Sequence, residues 1–332
     1  MTCICVDVMG GDKEPQVVLD GIDAALSEDP QLHILAVGAA EFVEPFAAAQ
    51  PRVEALISTE VIGMEEHPAE AVRNKKDSSI VRACAALRAG KADGFFSAGA
   101  TGAIFAAATL GVGRIRGVKR PALAAALPSG SAHRTIFVDL GANADARPEM
   151  MVQFAQMGRA FAKVTLGIAD PKVALLSNGT EQTKGSEATL AAHKALVEAA
   201  ADTGWFTGNC EGSDLFGDAF DVIVTDGFTG NVALKTLEAT AKFLGFEIKK
   251  AAKTSAVAGL GALLIKSPLK KVALALSGDE YGGAVLLGCK APVFIGHGAT
   301  SVQAVKHGTL AAAAAVNSGL VAKIADELVA TK

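Results

Sequence analysis

The stretch Asp221-Val222-Ile223-Val224-Thr225-Asp226-Gly227-Phe228-Thr229-Gly230-Asn231 joins a short apolar run to a glycine-rich polar loop. The continuous β-branched run predicts a strand that is buried on both faces of a sheet. Glycine lets the backbone approach a ligand, and free N–H groups at the start of the following helix favour an anion. The stretch therefore predicts an α/β fold with a ligand-binding loop at the carboxyl end of a strand.

Apolar strands of this kind alternate with Ala-rich amphipathic runs, such as Ser78–Ala89 and Glu187–Ala201. Alternation predicts a mostly parallel sheet with helices on both faces. No repeat and no low-complexity linker divides the chain, so we expect one domain over residues 1–332. The predicted strands are Cys3–Val8, His33–Val37, Gly94–Ser97, Ala122–Leu127, Thr135–Leu140, Lys172–Ser177, Asp221–Thr225 and Pro292–Ile295.

Five of these strands end in glycine-rich polar loops, which we expect at one carboxyl edge of the sheet. Several such turns in one chain predict a phosphate-like ligand; the alternative is that Asp12 and Thr101 are only helix caps. The sequence contains neither a GxxxxGK[ST] loop nor a GxGxxG turn followed by an acidic residue for a ribose. The five loops are Gly10–Asp12, Ser97–Gly102, Asp139–Asn143, Thr225–Asn231 and Gly296–Ser301.

The 332 residues are 50% hydrophobic but only 5% aromatic, with a formal net charge of −4 and a mean hydropathy of +0.34. A membrane span needs about 20 nearly uninterrupted apolar residues, and the run Ala256–Ile265 is too short. The start of the chain reads as a strand and predicts no signal peptide. We expect a cytoplasmic α/β protein, and the negative charge argues against a nucleic-acid binder.

Two segments carry candidate cations. In the polar stretch from His67 to Ser79, Pro68 can start a short helix that brings His67, Arg73 and Lys76 within reach of one anion; a solvated charged turn is the alternative. Lys184, between a strand and a helix, can meet a phosphate as a point charge or lie free on the surface. The sequence contains no GxSxG and no HExxH motif, which favours catalysis by positioning and electrostatics without a metal.

Residues 236–275 are predicted to form a helical hairpin with an oily, lysine-flanked tip. Within Lys249–Lys271, the apolar side chains of Val257, Leu260, Leu263 and Leu264 recur at helical spacing. Basic flanks around an apolar tip are typical of helices that touch an anionic membrane surface. A subunit interface, or a core helix with snorkelling lysines, is the alternative.

A series of short motifs, in this order, resembles the bacterial PlsX family of acyl-ACP:phosphate acyltransferases (acyl-phosphate synthases) over essentially the whole chain. The sequence departs from the family pattern at Ala100, where Asn is usual, in Ser177–Glu181 and at Ala299. The motifs are Val6–Asp12, His67–Arg73, Lys75–Ser79, Ser97–Gly99, Thr101–Ala103, Asp139–Asn143, Lys184–Gly185, Asp226–Lys235, Glu280–Ala284 and Gly296–Gly298.

The resemblance implies that long-chain acyl-ACP and inorganic phosphate are converted to acyl phosphate and ACP, without a cofactor, for phospholipid biosynthesis. The product would feed a membrane glycerol-3-phosphate acyltransferase. The implied fold is three-layered, Rossmann-like and similar to isopropylmalate dehydrogenase, with a protruding helical hairpin. The resemblance also implies a homodimer that is peripherally bound to a membrane.

The resemblance points to Lys184 and Asn231 as catalytic, and we expect the Asn231 amide to stabilise the thioester oxyanion. His67 either protonates the leaving thiolate or hydrogen-bonds the phosphate. Lys184, with Arg73 and Lys76, is expected to neutralise the phosphate. The residues expected to bind phosphate or substrate are Asp7, Gly10, Gly11, Asp12, Arg73, Lys76, Ser97, Gly99, Thr101, Gly102, Asn143, Asp226, Thr229, Gly230, His297 and Gly298.

Three rival functions remain open. A phosphotransacetylase acting on a short acyl-CoA would use the same fold, but the oily segment favours a lipid-linked substrate. NAD-dependent oxidation of a phosphorylated hydroxy acid would need a metal-binding cluster, for which the sequence gives no pattern. A membrane-attached scaffold would not need so many glycine-rich polar loops.

Overall fold

A single eleven-stranded sheet forms the centre of the molecule, in the order β3-β2-β1-β4-β11-β10-β5-β6-β9-β7-β8. The computed structural model describes residues 1–130, 133–269, 272 and 282–329. The strands are β1 Thr2–Asp7, β2 Leu32–Gly38, β3 Val53–Ile57, β4 Gly94–Ser97, β5 Ala122–Ser129, β6 His133–Val138, β7 Val173–Leu176, β8 Phe206–Cys210, β9 Val222–Val224, β10 Ala284–Leu287 and β11 Val293–Ile295.

The sheet is mostly parallel, as the sequence predicts. Neighbours from β3 to β11 run parallel, and so do neighbours from β6 to β8. Between these halves, the pairings β11–β10, β10–β5 and β5–β6 are antiparallel. Because three reversals separate them, the strands of one parallel half run opposite to those of the other.

All eight predicted strands are present, and the sequence analysis missed β3, β8 and β10. The missed β3 and β8 are the two edge strands of the sheet. In β3, the side chains of Glu54, Ala55 and Ile57 are exposed, so the strand lacks the continuous apolar run used to find the others. In β8, Thr207, Gly208 and Asn209 interrupt the apolar pattern.

Helices cover both faces of the sheet, which gives three layers. They are α1 Pro15–Glu28, α2 Ala40–Ala49, α3 Pro68–Asn74, α4 Ser79–Arg88, α5 Thr101–Ala107, α6 Pro148–Thr165, α7 Glu187–Ala200, α8 Gly227–Ala252, α9 Ala256–Leu264, α10 Val302–Asn317 and α11 Leu320–Val329. One face packs mainly on α1, α6, α7, α10 and α11, and the other on α3, α4, α5 and the start of α8. Successive side chains of a strand point to opposite faces of the sheet, so one strand contributes to the hydrophobic cores on both faces. Val138 packs in the first core and Phe137 in the second.

The helix α8 is 26 residues long, or roughly 39 Å at the α-helical rise. Its early residues Ala233, Leu234 and Leu237 pack on the sheet, whereas Phe243 and Phe246 further along are exposed. The four tip residues all lie on α9 and are exposed, with Val257 at 81% and Leu264 at 75%. Of the predicted hairpin 236–275, residues 270, 271 and 273–275 lie outside the described residues, as do Glu280 and Tyr281 of the PlsX motifs.

None of the described helices is by itself long and apolar enough to cross a bilayer, although the bent pair α10–α11 meets the length and composition criteria together.

Candidate active site

The five glycine-rich loops form two groups. The loops after β1, β4 and β11 form the first loop group, and those after β6 and β9, with the loop after β7, form the second. The two halves of the sheet run in opposite directions, so the carboxyl ends of their strands point opposite ways. The two loop groups therefore lie at opposite ends of the strands. The expectation that all five loops share one edge is therefore wrong: the alternating pattern of the sequence did not reveal the three antiparallel pairings.

In the first loop group, the carboxylate of Asp7 is buried at the end of β1, with 1% exposure. Ser97 Oγ donates to its Oδ2 at 2.7 Å, and the Met9 N–H donates to its Oδ1 at 3.0 Å. Burial raises the pKa of Asp7, against the opposing effect of hydrogen bonds from Ser79 and Ser97. Ser97 Oγ in turn accepts the Gly99 N–H at 3.0 Å, so one network joins the ends of β1 and β4.

Glycines bring the three strands' loops into contact. A Cβ atom on Gly10 would lie 2.8 Å from both Asp7 Oδ2 and the Gly99 nitrogen, so no side chain fits there. Gly11 has a φ of +106°, a conformation that L side chains rarely adopt. The Asp12 N–H donates to the Gly298 carbonyl at 2.7 Å, which ties the loop after β1 to the loop after β11.

The alternative interpretation of Asp12 and Thr101 as helix caps is wrong. The N-cap residues of α1 and α5 are Glu14 and Ala100, and neither helix has a side-chain cap hydrogen bond. Asp12 and Thr101 are exposed at the loop group.

The predicted short helix after His67 is α3, and it packs against the start of α5. A Cβ atom on Gly102 would lie 2.6 Å from Pro68 Cγ, so Gly102 allows this close packing. His67, Arg73 and Lys76 are all exposed. Lys76 Nζ donates to the Val72 carbonyl at 3.3 Å. The packing of Pro68 on Gly102 places the segment that carries these three residues beside the first loop group, whereas Lys184 belongs to the second.

In the second loop group, Asp139 is fully buried after β6. Its carboxylate accepts the N–H groups of Leu123 at 2.9 Å, Ala142 at 3.0 Å and Asn143 at 2.8 Å. Burial raises the pKa of Asp139, although these hydrogen bonds act to lower it. Asn143 Nδ2 donates to Asp139 Oδ2 at 2.9 Å and to the Pro121 carbonyl at 2.8 Å, so the predicted ligand Asn143 holds the loop together.

The start of α8 packs directly on this loop. The Gly227 N–H donates to the Asn143 carbonyl at 2.7 Å. A Cβ atom on Gly230 would collide with the Asp139 carbonyl oxygen. Asp226 caps the helix: its Oδ1 accepts the Thr229 N–H at 2.8 Å and its Oδ2 accepts the Thr229 hydroxyl at 2.9 Å.

The two predicted catalytic residues belong to this second loop group, and both are exposed. Asn231 lies beside Gly141: a Cβ atom there would be 3.6 Å from Asn231 Oδ1. The loop after β7 carries Lys184, whose N–H donates to the Glu181 carbonyl at 3.0 Å. The stem of Lys184 covers Gly179, where a Cβ atom would lie 2.7 Å from Lys184 Cγ.

A cavity of about 360 Å³ lies in this group, where the N-termini of three helices meet. The N-cap residues Arg147 of α6, Ser186 of α7 and Asp226 of α8 all line it. The positive ends of the helix dipoles and the Arg147 guanidinium favour an anion at such a place. Ser186 and Asp226 each accept one N–H group of their own helix, from Thr189 and Thr229, and only the N–H groups of the first turns without such a partner remain for a ligand. Asp226 and Thr229 are the predicted residues among its lining; Lys184 is two residues before Ser186, and Asn231 two after Thr229.

The sequence analysis missed Arg147, Ser186 and Thr189 in this lining. Arg147 precedes Pro148, and Ser186 precedes an Ala-rich helical run, so each carried a helix-start signal. What the sequence could not indicate is that three such starts converge on one cavity.

The helix α8 connects the two loop groups. Its Glu238 Oε1 lies 3.4 Å from Nε2 of His297, a predicted residue of the first group. Glu238 follows Asn231 by seven residues, about 10 Å along the helix axis. The first turns of α8 therefore run from the second group to the edge of the first.

In the described parts of the chain, no group of three or more His, Cys, Asp or Glu side chains is arranged to hold a metal ion.

Comparison with known proteins places the chain in a family. A family model described as "Fatty acid synthesis protein" matches residues 2–323. The chain is 42% identical over 309 residues to "Phosphate acyltransferase" of Ligilactobacillus salivarius, which covers 92% of each chain. It is 43% identical over 332 residues to "Phosphate acyltransferase" of Desulfitobacterium hafniense, which covers 99% of this chain and 98% of the relative.

Solved structures agree on the fold. A phosphotransacetylase from Streptococcus pyogenes superposes with a TM-score of 0.62 at 16% identity, covering 95% of this chain and 94% of that one. The EutD phosphotransacetylase from Staphylococcus aureus has a TM-score of 0.59 at 17% identity, with the same coverage. A putative 4-hydroxythreonine-4-phosphate dehydrogenase from Salmonella typhimurium has a TM-score of 0.51 at 13% identity and covers 95% of this chain and all of that one. At such identities, the likeness concerns the fold alone.

The family model and the curated relatives both extend over nearly the whole chain, and the motif-rich loops they include are those that build the two groups and the cavity. The chain belongs to the PlsX family of phosphate acyltransferases and is an acyltransferase.

Proposed function

We propose that this protein converts a long-chain acyl-ACP and inorganic phosphate to acyl phosphate and free ACP. The observation that carries the proposal is the cavity at which three helix N-termini and Arg147 meet, in a chain of the phosphate acyltransferase family. Such a place suits the binding of a phosphate dianion.

The reaction needs little covalent help from the protein. A phosphate oxygen attacks the thioester carbonyl carbon, the C–S bond breaks, and the proton of hydrogen phosphate balances the thiolate that leaves. Because phosphate is already a nucleophile, the protein has to bring two anionic reactants together and stabilise the oxyanion between them.

We assign that work to Lys184 and Asn231, both exposed in the second loop group. The Lys184 ammonium is exposed beside the start of α7 and neutralises the phosphate as a point charge. The Asn231 amide, in the first turns of α8, donates to the oxyanion of the tetrahedral intermediate. Arg73 and Lys76 lie with the first loop group, away from the cavity of the three helix N-termini, and are not assigned to the inorganic phosphate.

An apolar cavity supports a long acyl chain over a short one. It has a volume of about 350 Å³ and lies between α8, the sheet and the short helical segment Gly212–Phe216. Ala233, Leu234 and Leu237 form its α8 wall, only a few residues beyond Asn231. Phe137 and Leu127 form its floor.

The direct test is phosphate-dependent acyl phosphate formation by the purified full chain. We expect palmitoyl-ACP to be a substrate and acetyl-CoA to be a poor one. Loss of one oxyanion donor costs about 10²–10³ in rate, so Asn231→Ala and Lys184→Ala are each expected to lower kcat/KM by that order.

Matched controls are Lys194→Ala on α7 and Lys242→Ala on α8, which remove exposed charges from the same two helices. Near-full activity of both Lys184→Ala and Asn231→Ala would contradict the assignment of these residues. Use of acetyl-CoA with no use of palmitoyl-ACP would indicate a phosphotransacetylase, and no product from either would favour a scaffold.

His67 has two possible roles, which a pH–rate profile separates. If its imidazolium protonates the leaving thiolate, His67→Gln removes the alkaline limb of the kcat profile. If it only hydrogen-bonds a phosphate, the same variant raises a KM and leaves the shape of the profile unchanged.

The proposal also covers the pathway that uses the product and the place in the cell where the reaction occurs. The acyl phosphate would feed a membrane glycerol-3-phosphate acyltransferase in phospholipid biosynthesis. A cytoplasmic homodimer, held at an anionic membrane surface by its α9 tip, suits that handover. Exposed apolar side chains on α9, with Lys249, Lys250 and Lys253 before it, support this arrangement.

A further inference from the structure

We propose that a basic ridge beside the cavity docks the acidic face of the carrier protein that bears the thioester. The basic ridge consists of Arg114, Arg116, Lys119, Arg120 and Lys290, all of them exposed. Four of the five fall within the seven residues 114–120, in a chain whose net charge is −4. The inference rests on the proposed function, because it concerns how that acyl-ACP is recognised.

The ridge is a rigid surface and not a loose charged loop. Between its cations, Ile115 and Val118 are buried, with 6% and 5% exposure, and anchor the loop in the core. The Ile115 N–H donates to the Gly288 carbonyl at 2.9 Å. The Lys290 N–H donates to the Gly113 carbonyl at 2.9 Å, which places Lys290 alongside the others.

Hydrogen bonds also fix the ridge to the wall of the cavity. Gln153 on α6 accepts the Lys119 N–H at 2.8 Å and donates to the Gly117 carbonyl at 2.9 Å. Directly after the ridge, the Pro121 carbonyl accepts Asn143 Nδ2 at 2.8 Å. Asn143 leads into residues 144–147, which line the cavity. A protein on the ridge is therefore close to residues 144–147 of the cavity lining, which its thioester arm would have to reach.

The charges on the ridge are available to a partner. Glu149 Oε1 lies 3.3 Å from Lys119 Nζ and 3.9 Å from the Nε of Arg147, both as exposed pairs. Within the described residues, Arg116 and Arg120 form no ion pair, and both side chains are exposed.

The geometry favours an acidic protein over the other anions present. The five cations line neither of the two cavities described above, where a small anion would be enclosed. A membrane-binding surface combines cations with exposed apolar side chains, whereas the apolar residues of this loop face the core. Complementary charge on two protein surfaces steers association and fixes orientation.

The test compares two substrates that differ only in the carrier. Steady-state kinetics are measured for palmitoyl-ACP and for palmitoyl-pantetheine, which has no protein, at low and at moderate salt. The ridge variant is Arg116→Glu/Arg120→Glu. Its control is Lys91→Glu/Lys323→Glu, which makes the same change of net charge at two exposed lysines outside the ridge.

We expect the ridge variant to raise the KM for palmitoyl-ACP by about tenfold at low salt, since charge reversal at an interface mainly weakens encounter. The difference from wild type should shrink as salt screens the charges. Kinetics with palmitoyl-pantetheine should match wild type, and the control variant should behave as wild type with both substrates.

Three outcomes would overturn the ridge assignment: an unchanged KM for palmitoyl-ACP, equal losses with both substrates, or loss of binding to anionic vesicles with acyl-ACP kinetics intact. The failure of the proposed function looks different, because wild type itself would then make no acyl phosphate from either thioester. Thermal melting and gel filtration confirm that each variant has the wild-type fold and mass.

Discussion

At the residue scale, two buried aspartates fix the conformation of the loop groups. Asp7 ends β1 and Asp139 follows β6, and each accepts hydrogen bonds from the loop that it begins. A buried carboxylate is costly unless it is hydrogen-bonded, and here the backbone N–H groups of the loops supply the compensation. Both carboxylates therefore act by shaping a loop, and the exposed residues of that loop are left to meet the ligands.

Asp139→Asn tests this structural role. The amide can accept hydrogen bonds at one atom only, so at least two donors that meet Asp139 Oδ2, the N–H and Nδ2 of Asn143, lose their acceptor. Since each unsatisfied buried group costs about 1–3 kcal/mol, we expect the free energy of unfolding to fall by roughly 3 kcal/mol. Chemical denaturation followed by circular dichroism measures the change.

The matched control is Asp202→Asn, which makes the same chemical change at an exposed site and should alter stability by less than about 0.5 kcal/mol. Equal stability of Asp139→Asn and wild type would show that the loop does not need its carboxylate.

At this scale, the sequence indicated which polar residues lie in the loops better than it indicated what their side chains do. It found Asp226, Thr229 and Asn143 as polar residues after strands, but their side chains cap α8 and tie loops together. In a sequence, an Asp that binds a ligand near a helix start cannot be distinguished from an Asp that caps the helix. The distinction depends on the partner atoms, which come from Pro121 and other distant segments.

At the scale of elements, the two halves of α8 lie in different environments. Its first turn must approach the sheet closely, and its far half is free of the sheet. Gly230 and Gly245 sample these two environments: a Cβ atom on Gly230 would collide with the Asp139 carbonyl, whereas nothing lies within 4 Å of one on Gly245.

We therefore expect opposite effects from the same substitution in one helix. Gly230→Ala has to displace the start of α8 from the Asp139 loop, so it should destabilise the protein and reduce acyl phosphate formation. Gly245→Ala should stabilise the protein by about 0.5–1 kcal/mol, because alanine favours a helix over glycine. Thermal melts and activity of both variants measure this, and a stable, active Gly230→Ala would contradict the close packing.

The apolar cavity beside α8 leads to a prediction about chain length. Leu234→Trp would fill the cavity with a larger side chain from its α8 wall. Since a few methylenes in an apolar pocket are worth about 1–3 kcal/mol, kcat/KM for palmitoyl-ACP should fall by about tenfold or more. Butyryl-ACP should be used as well as by wild type.

Leu244→Trp, at an exposed position further along α8, is the control and should change neither substrate. If Leu234→Trp lowers activity with both chain lengths equally, the cavity does not hold the acyl chain. Purified variants are compared by their melting temperatures, so that loss of fold is not mistaken for loss of chain-length preference.

At the scale of the whole molecule, local patterns predicted the layers but not the direction of the sheet. Each parallel half was readable because its central strands are continuously apolar and alternate with helices. The net reversal needs all three antiparallel pairings, β11–β10, β10–β5 and β5–β6, because the two pairings of β10 alone would leave the halves running the same way. Pairing between segments more than 150 residues apart, such as Leu123 with Leu286, leaves no local pattern in the sequence.

Because of that reversal, α8 is the element that connects the two loop groups. With the loop groups at opposite ends of the strands, one long helix starts at the second group, passes His297 of the first group and then leaves the sheet. It leads to α9, whose apolar side chains are exposed. The proposed chemistry and the proposed membrane contact are thus parts of one continuous segment, but they lie on different stretches of it.

Membrane contact should therefore be separable from catalysis. The triple variant Leu260→Asp/Leu263→Asp/Leu264→Asp replaces apolar side chains with charges, and burial of those side chains in the interface is what supplies lasting affinity. We expect cosedimentation with phosphatidylglycerol vesicles to be lost, while kcat/KM for palmitoyl-ACP without vesicles and the mass in gel filtration stay at wild-type values. Lys249→Ala/Lys250→Ala keeps the apolar tip and should weaken vesicle binding only at low salt, where electrostatic attraction contributes. A triple variant that still binds vesicles, or that loses mass in gel filtration, would instead assign α9 to packing between copies of the chain.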